Sequence, residues 1–465
     1  METGLAMTAA QHTRLRHHLF PGDGLEAAAI ALCGRARSDS AERLVVHRVE
    51  RVPYGECERQ RDLIRWKTDI MVPLLTEAAR RGLAVLKMHS HPSGYPRFSD
   101  QDDRADRELF ASVYGWFDHE LLHASAVMMP DGRIIARFIT PEGNFVPIRL
   151  VSSIGDDIAL WFADEGPFMI PETARRNVQA FGKGTYRILR TLRIAVVGAS
   201  GTGSLVIEQL VRSHAGYLNI VDPDKVEHRN LNRIPHATTK DADQAVAKVQ
   251  CLAEAARRIG FELEIVPIVG SLHDPKVIRQ ISTCDLVFGC MDTIDGRALL
   301  NRLATFYLLP YFDVGVRLDS DRKGGIDQIC GMVHYFQPGR SSFFTRGVFT
   351  PADVSAAALK RSDPDEYKRR LKQKYIKGVE EDRPAVMPVN MTFAGLVVME
   401  FFARIHPYRV DDNADYAWTR FSLSHGIYEH GSEVKDCPSL VRYVGRGDTV
   451  PLLEMPDLTE IAQAA

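Results

Sequence analysis

The stretch MHSHPSGYPRFSDQDD, residues 88–103, gathers two histidines, three serines and three aspartates in a short length of chain. In an extended strand, side chains two apart face the same side, so His89 and His91 can aim at one ion. Neutral imidazoles are good zinc ligands, and a carboxylate such as Asp102 can supply a third while the fourth position stays open for water. That is the arrangement of a catalytic rather than a structural zinc. Ser99 and Asp102 also have the spacing of a capping box, and capping and metal binding are compatible here. Asp100 and Asp103 are expected only as solvated charges at the helix start.

A second stretch, VVGASGTGS at 196–204, suggests phosphate chemistry. Gly198, Gly201 and Gly203 would let backbone N–H groups approach phosphates at a helix N-terminus. Asp222 ends the next strand, 24 residues after Gly198, where a carboxylate can hold a ribose hydroxyl. These residues alone leave an NAD-dependent oxidoreductase and an ATP-binding protein both open.

The elements that must position these residues follow from periodicity. LAVLKMHSH reads as a buried strand running into the two histidines, and LIRWKTDIMVPLLTEAARRG as a helix stopped by Gly82. GLEAAAIALCGRA suits a buried element, and SAVMMPDGRIIARFI a hairpin turning at Asp131–Gly132. Residues 150–190 read as helical and connecting. From LRIAVVG onward strands and helices alternate, which predicts a parallel sheet covered on both faces. The charged stretch 360–384 interrupts this pattern as a mobile helix or crossover, and MTFAGLVVMEFFARI resumes it as a core helix.

HSHPSGYPRFSDQDD resembles the signature of the JAMM (JAB/MPN) metalloproteases over roughly residues 15–150. The resemblance implies a cytidine-deaminase-like α+β domain, with His89, His91 and Asp102 as zinc ligands. It makes Glu26, placed on a first helix, the general base on the zinc-bound water, and Ser99 the group that stabilises the oxyanion. Such proteases cleave peptide or isopeptide bonds after a ubiquitin-like C-terminus.

DPDKVEHRNLNRI is similar to the ThiF/MoeB-type adenylating enzymes, a likeness that covers roughly 170–410. It implies a Rossmann-like sheet flanked by helices, ATP held at the glycine loop, Asp222, Asn230, Arg233 and Lys248, and magnesium on Asp292. Arg176 would reach the nucleotide of a partner subunit, which implies a homodimer. When a carboxylate attacks the α-phosphorus of ATP, charge builds on phosphoryl oxygens, and these cations stand where it develops. Hydride transfer needs no such cluster, so adenylation displaces the oxidoreductase reading.

The expected α/β organisation is therefore a protease domain over 1–150, a helical connector over 151–190 and an adenylation domain over 191–465. The last includes a crossover loop near 346–386 and a C-terminal tail. Its expected function is ATP- and magnesium-dependent activation of a ubiquitin-like protein, with zinc-dependent cleavage of that protein's precursor or conjugates. A conjugating-enzyme-like partner and a setting in antiphage defence follow by resemblance. Sulfur-carrier activation for cofactor or cysteine synthesis, and a non-catalytic adaptor for a ubiquitin-like protein, remain as alternatives.

The bulk properties fit. A chain of 465 residues exceeds what one core usually organises, and its net charge of −2 argues against nucleic acid or an acidic membrane as the main partner. No apolar run suggests a membrane span or signal peptide, and seven scattered cysteines suit a reducing cytoplasm. The sequence departs from the adenylating family in two places. Ser342 and Thr345 stand where zinc-binding cysteines are sought, and 346–386 carries no thiol. Three transfer routes stay open: a thioester on Cys437, an oxyester on a Ser or Thr within 342–362, or direct passage of the adenylate.

Overall fold

The computed structural model describes residues 2–163, 166, 168–321, 323–373 and 385–459; of the expected crossover loop 346–386, residues 374–384 lie outside them. Two compact units emerge. The first gathers the chain up to Phe168 with Phe306–Leu308 and the tail from Tyr443; the second holds Met169–Thr305 and Leu309–Arg442.

The first unit is a nine-stranded mixed sheet. Its elements run β1 (Glu2–Thr8), α1 (Ala9–Leu19), β2 (Ala28–Arg37), β3 (Ala41–Arg51), β4 (Cys57–Arg59), β5 (Ile64–Trp66), α2 (Val72–Arg81) and β6 (Ala84–Ser90). Then come α3 (Asp100–Tyr114), β7 (His123–Met128), β8 (Ile134–Ile139), β9 (Phe145–Pro147), β10 (Leu150–Ile154) and β11 (Ile158–Phe162). The sheet order is β11-β10-β1-β3-β2-β6-β7-β8-β9, with β4 and β5 forming a separate hairpin.

The apolar run of β2 serves two cores. Ala29, Ala31 and Cys33 face α1 residues Leu15 and Leu19, while Ala28, Ile30 and Leu32 face Leu74 and Leu75 of α2 and Phe110 of α3. A strand buried on both faces reads as continuous rather than alternating hydrophobicity. Gly82 closes α2 in the left-handed region at φ 65°, and Gly132 turns the β7–β8 hairpin at φ 91°. β6 and β7 pair in parallel, with α3 as their crossover.

Two expectations about boundaries are corrected. The segment after 150 begins with strands: β10 pairs with β1 in parallel and buries Leu150, Val151 and Ile154. The tail returns to the first unit, where Gly34 N–H donates to Gly445 O (3.1 Å) and Gly447 N–H to Phe306 O (2.9 Å). Main chain meets main chain there because position 34 has no side chain; a Cβ on Gly34 would lie 2.3 Å from the Arg446 carbonyl carbon.

The second unit begins with α4 (Arg175–Thr191), β12 (Arg193–Val197), α5 (Gly201–Arg212), β13 (Tyr217–Val221), α6 (Thr239–Asp243), α7 (Lys248–Ile259) and β14 (Glu264–Ile268). It continues through α8 (Pro275–Ser282), β15 (Leu286–Gly289), α9 (Ile294–Phe306), β16 (Tyr311–Ser320) and β17 (Ile326–Phe336). It closes with α10 (Pro351–Ser362), α11 (Pro364–Lys372), α12 (Met387–Ile405), β18 (Trp418–Ser422) and β19 (Ile427–Gly431). The order β14-β13-β12-β15-β16-β17-β18-β19 is parallel through β16 and antiparallel beyond it. Winding outward from β12 to β14 and then back to β15 makes the β12/β15 boundary a topological switch point, where such sheets bind ligands. Among the described residues one helix, α12, is long and apolar enough by composition to cross a membrane. It serves here as a core helix, with Phe393, Val397 and Phe401 fully buried.

Gly34→Ala should free the tail. We expect a loss of ~1–3 kcal/mol from forced overpacking, read as a lower unfolding midpoint together with faster tryptic cleavage at Arg446.

Candidate functional sites in two units

In the first unit the pleat of β6 aims Lys87, His89 and then His91 toward the start of α3. Ser99 caps that helix: its Oγ accepts from Asp102 N–H (3.2 Å), and Asp102 Oδ2 accepts from Ser99 N–H and Oγ–H (both 2.7 Å). The cap turns the same carboxylate to the histidines, with Asp102 Oδ1 2.9 Å from His89 Nε2 and Oδ2 3.4 Å from His91 Nε2. The two Nε2 atoms are 3.2 Å apart. Ligands at zinc distance on a tetrahedron stand about 3.3 Å apart, so the donor set fits that ion.

The tautomers fit as well. His91 Nδ1 faces the Tyr95 carbonyl oxygen at 2.9 Å, so a proton held there leaves the Nε2 lone pair for the cluster. Burial pushes His89 down to about 4, against the pull of Asp102, so it is a neutral imidazole at pH 7. His91 moves up: burial opposes its charged form, but Asp102 and the Tyr95 carbonyl outweigh it. Those bonds to both imidazoles hold Asp102 far below the usual carboxylate range despite its burial.

Glu26 joins this cluster, its carboxylate within 4.8 Å of the ligand atoms of His89 and His91. It stands on no helix. It lies in the extended lead-in to β2, where the β4–β5 hairpin grips its backbone: Glu26 N–H donates to Gln60 O (2.8 Å) and Arg59 Nε–H to Glu26 O (2.7 Å). Burial, with Asp102 adding to it, raises Glu26 to about 7, so it can take or return a proton near neutrality. Ser99, expected at an oxyanion, here spends its hydroxyl proton on Asp102.

The sequence reading missed what lies beneath. Lys87 Nζ and Asp106 Oδ1 are 2.7 Å apart, and Arg137 Nη2 reaches Asp106 Oδ2 at 2.7 Å. Arg137 also pairs with Asp103 and lies between the rings of Phe98 and Phe145. Asp103 is thus a buttress rather than the free helix-start charge expected. The signal was present in the alternation Lys87, His89, His91 and in the helical spacing of Asp102, Asp103 and Asp106.

In the second unit Gly198, Gly201 and Gly203 link β12 to α5. Gly198 has φ 95°, and a Cβ there would lie 2.7 Å from Cys290 O; one on Gly203 would lie 1.8 Å from Gly198 O. The turn therefore requires residues without side chains, leaving backbone N–H groups open at the start of α5. Asp222, at the end of β13, accepts from Ala199 N–H at 2.7 Å and from Asp224 N–H at 2.9 Å. Burial raises it, while Lys248 and those donors pull the other way. Lys248, the first residue of α7, lies 2.7 Å from Asp224 Oδ2 and 3.8 Å from Asp222 Oδ1.

Asn230 caps a tight turn, its Oδ1 accepting from Glu227 N–H at 3.1 Å. The next turn carries Arg233, which donates to Arg229 O at 2.7 Å. Burial and Arg229 press Arg233 down, while Asp292, exposed after β15, acts on it in the opposite sense. The structure thus groups Asp222, Lys248 and the glycine loop, and sets Arg233 within the field of Asp292. Arg176 stands exposed on the first turn of α4, its guanidinium bonded to Gln179 Oε1 at 3.0 Å.

Cys437, a candidate for the thioester, is 2% exposed, its Sγ 3.1 Å from Ser439 Oγ. Ser342 N–H donates to Thr345 Oγ1 at 2.8 Å, so the Thr345 hydroxyl closes a local turn.

A nucleotide-type switch-point site and a His/His/Asp/Glu site in one chain define a two-part protein, and comparison with known families agrees. Residues 174–430 match the ThiF family, and the chain belongs to that family; residues 8–133 match the prokaryotic homologs of the JAB domain. The protein is accordingly a fusion of the two. Among curated relatives, tRNA threonylcarbamoyladenosine dehydratase 2 of Saccharomyces cerevisiae is 33% identical over 138 residues, 29% of this chain and 30% of that protein. Ubiquitin-like modifier-activating enzyme 5 of Rattus norvegicus is 28% identical over 190 residues, 38% of this chain and 44% of that one. The chain thus spans less than half the length of either relative. The crystal structure of E. coli MccB aligns at TM-score 0.45 and 15% identity, covering 60% of this chain and 75% of that one.

Asp106→Asn would leave Lys87 facing a neutral partner in the interior. We expect a cost of ~3–5 kcal/mol in urea unfolding, partly recovered when Lys87→Met is combined with Asp106→Leu.

Proposed function

We propose that the chain is a bifunctional enzyme acting on the C-terminus of a ubiquitin-like protein, which one unit adenylates with ATP and magnesium and the other cleaves from a precursor or conjugate. The observation that carries this reading is the convergence of His89, His91, Asp102 and Glu26 in a chain that also belongs to the ThiF family.

At the first site His89, His91 and Asp102 would hold zinc, which when bound polarises a carbonyl and supplies a water that ionises near neutral pH. Ser99 holds Asp102 in place by capping α3. Glu26, close to half-protonated at neutral pH, accepts a proton from the attacking water and returns it to the leaving amine. Burial of the cluster limits competing solvent.

At the second site the N–H groups at the start of α5 and the Lys248 ammonium bind the phosphates of ATP. Asp222 holds the ribose, and Asp292 would take magnesium. Arg233 stands where charge builds as the carboxylate attacks and pyrophosphate leaves. Arg176, exposed and bonded among the described residues to Gln179, would act across a homodimer interface. The burial of Cys437 supports passing the adenylate to a hydroxyl or to a conjugating-enzyme-like partner over a thioester on that thiol. A defence role belongs to this same reading through its resemblance to bacterial conjugation modules.

The test uses the full chain with MgATP, labelled pyrophosphate and a ubiquitin-like protein bearing a free C-terminus, and in parallel that protein with a short C-terminal extension. Lys248→Ala and Arg233→Ala should lower pyrophosphate exchange by about 10²–10³ and leave cleavage intact. His89→Ala and Glu26→Gln should abolish cleavage and leave exchange intact. Absence of exchange in the wild-type protein with every carrier encoded beside it would sink the adenylation half. Cleavage surviving His89→Ala would sink the protease half.

A further inference from the structure

One polar side chain at the second site has no part in the account above. Asn390 sits in the second turn of the otherwise apolar α12 and is 4% exposed. Its carboxamide lies on the glycine loop: a Cβ added to Gly201 would stand 2.3 Å from Asn390 Nδ2 and 3.1 Å from Arg233 Cδ. Gly201 opens α5, whose N-cap Ser200 makes no side-chain cap bond and whose first turn carries no acid. Among the described residues, no hydrogen bond is made to the Asn390 side chain.

Three features therefore meet at one point: free N–H groups at the start of α5, the Arg233 side chain, and an unpartnered amide from a distant helix. The approach of that helix is anchored, since Asn232, beside Arg233 in sequence, donates from Nδ2 to Ala385 O at 3.0 Å. An amide that no described group pairs, set beside a helix terminus, is free to donate to an acceptor seated between the two. The acceptor such a surround favours is anionic. Glycine at 201 then has a second role beyond backbone approach, because any side chain there would expel the amide.

We propose that Asn390 is a further ligand-binding residue of this site, its carboxamide N–H donating to a phosphate oxygen of ATP held at the N-terminus of α5. The proposal rests on the adenylation reading and adds to it an uncharged donor supplied by the helix that follows the crossover segment.

The test is calorimetric binding of MgATP, and separately of adenosine, to the full chain. Asn390→Ala should weaken MgATP by about tenfold or more, the worth of one hydrogen bond to a charged group, and leave adenosine binding unchanged. Asn390→Asp, nearly isosteric, should weaken MgATP further by setting a carboxylate against the phosphate, again sparing adenosine. Should Asn390→Ala fail to fold, judged by circular dichroism, the Asp variant carries the test. Wild-type MgATP affinity in the folded variants, or equal losses for MgATP and adenosine, would overturn the proposal. A wild-type protein that binds adenosine and MgATP normally while the variants do the same condemns Asn390 alone. A wild-type protein that binds neither condemns the adenylation reading and this inference with it.

Discussion

The first unit depends on one carboxylate satisfying two demands. Asp102 closes the cap of α3 and also faces both imidazoles, so the helix must begin where β6 ends. A cap bond alone would not hold that placement, since exposed helix starts exchange such bonds with water. The charges beneath hold it. Lys87 from β6, Asp106 and Asp103 from α3 and Arg137 from β8 form a set of two cations and two anions. Buried charges persist only when paired, so these three elements can pack only in a register that brings the partners together. His89 and Asp102 inherit that register, because they lie two residues from Lys87 and four from Asp106.

The second unit solves a similar problem with less charge and more backbone. Its site lies where the strand order reverses, so two loops open at the same end of neighbouring parallel strands. The missing side chains at Gly198 and Gly203 let the first loop sit against the second, at distances no Cβ would tolerate. Lys248 is kept extended toward that end by Asp222 and Asp224. Both units thus rest a buried lysine on an aspartate beside the end of a strand. In the first, the lysine supports the site from below; in the second, it stands within the site.

What was legible in the sequence was local. The run from Leu83 to His91 shows its strand, Ser99 and Asp102 show their helix start, and the alternation after Arg193 shows a doubly wound sheet, because spacing along the chain encodes each. Partners distant in sequence were not legible. Nothing near Leu150 shows that β10 will pair with β1, and nothing near Gly445 shows that the tail returns to Gly34. Asp103 looked free because its partner Arg137 is 34 residues away. The resemblance implies a helix at Glu26; the hairpin at Arg59 and Gln60 and the pairing of β2 decide for an extended chain. Cys437 stands among polar residues in sequence, but those residues point outward while the thiol does not.

On the proposed reading, two opposed chemistries share one substrate terminus, and each site recognises a different form of it. A free C-terminus is a carboxylate, and the second site is built for anions: N–H groups at a helix start, a lysine and an arginine. The first site presents Glu26 and Asp102 to whatever lies on its histidines. With zinc held by its histidines and Asp102, that site would act on an uncharged bond by polarising its carbonyl, while Glu26, raised toward neutrality by burial, moves the proton. The two sites thus read different forms of the terminus, the first an uncharged acyl bond and the second a free anion.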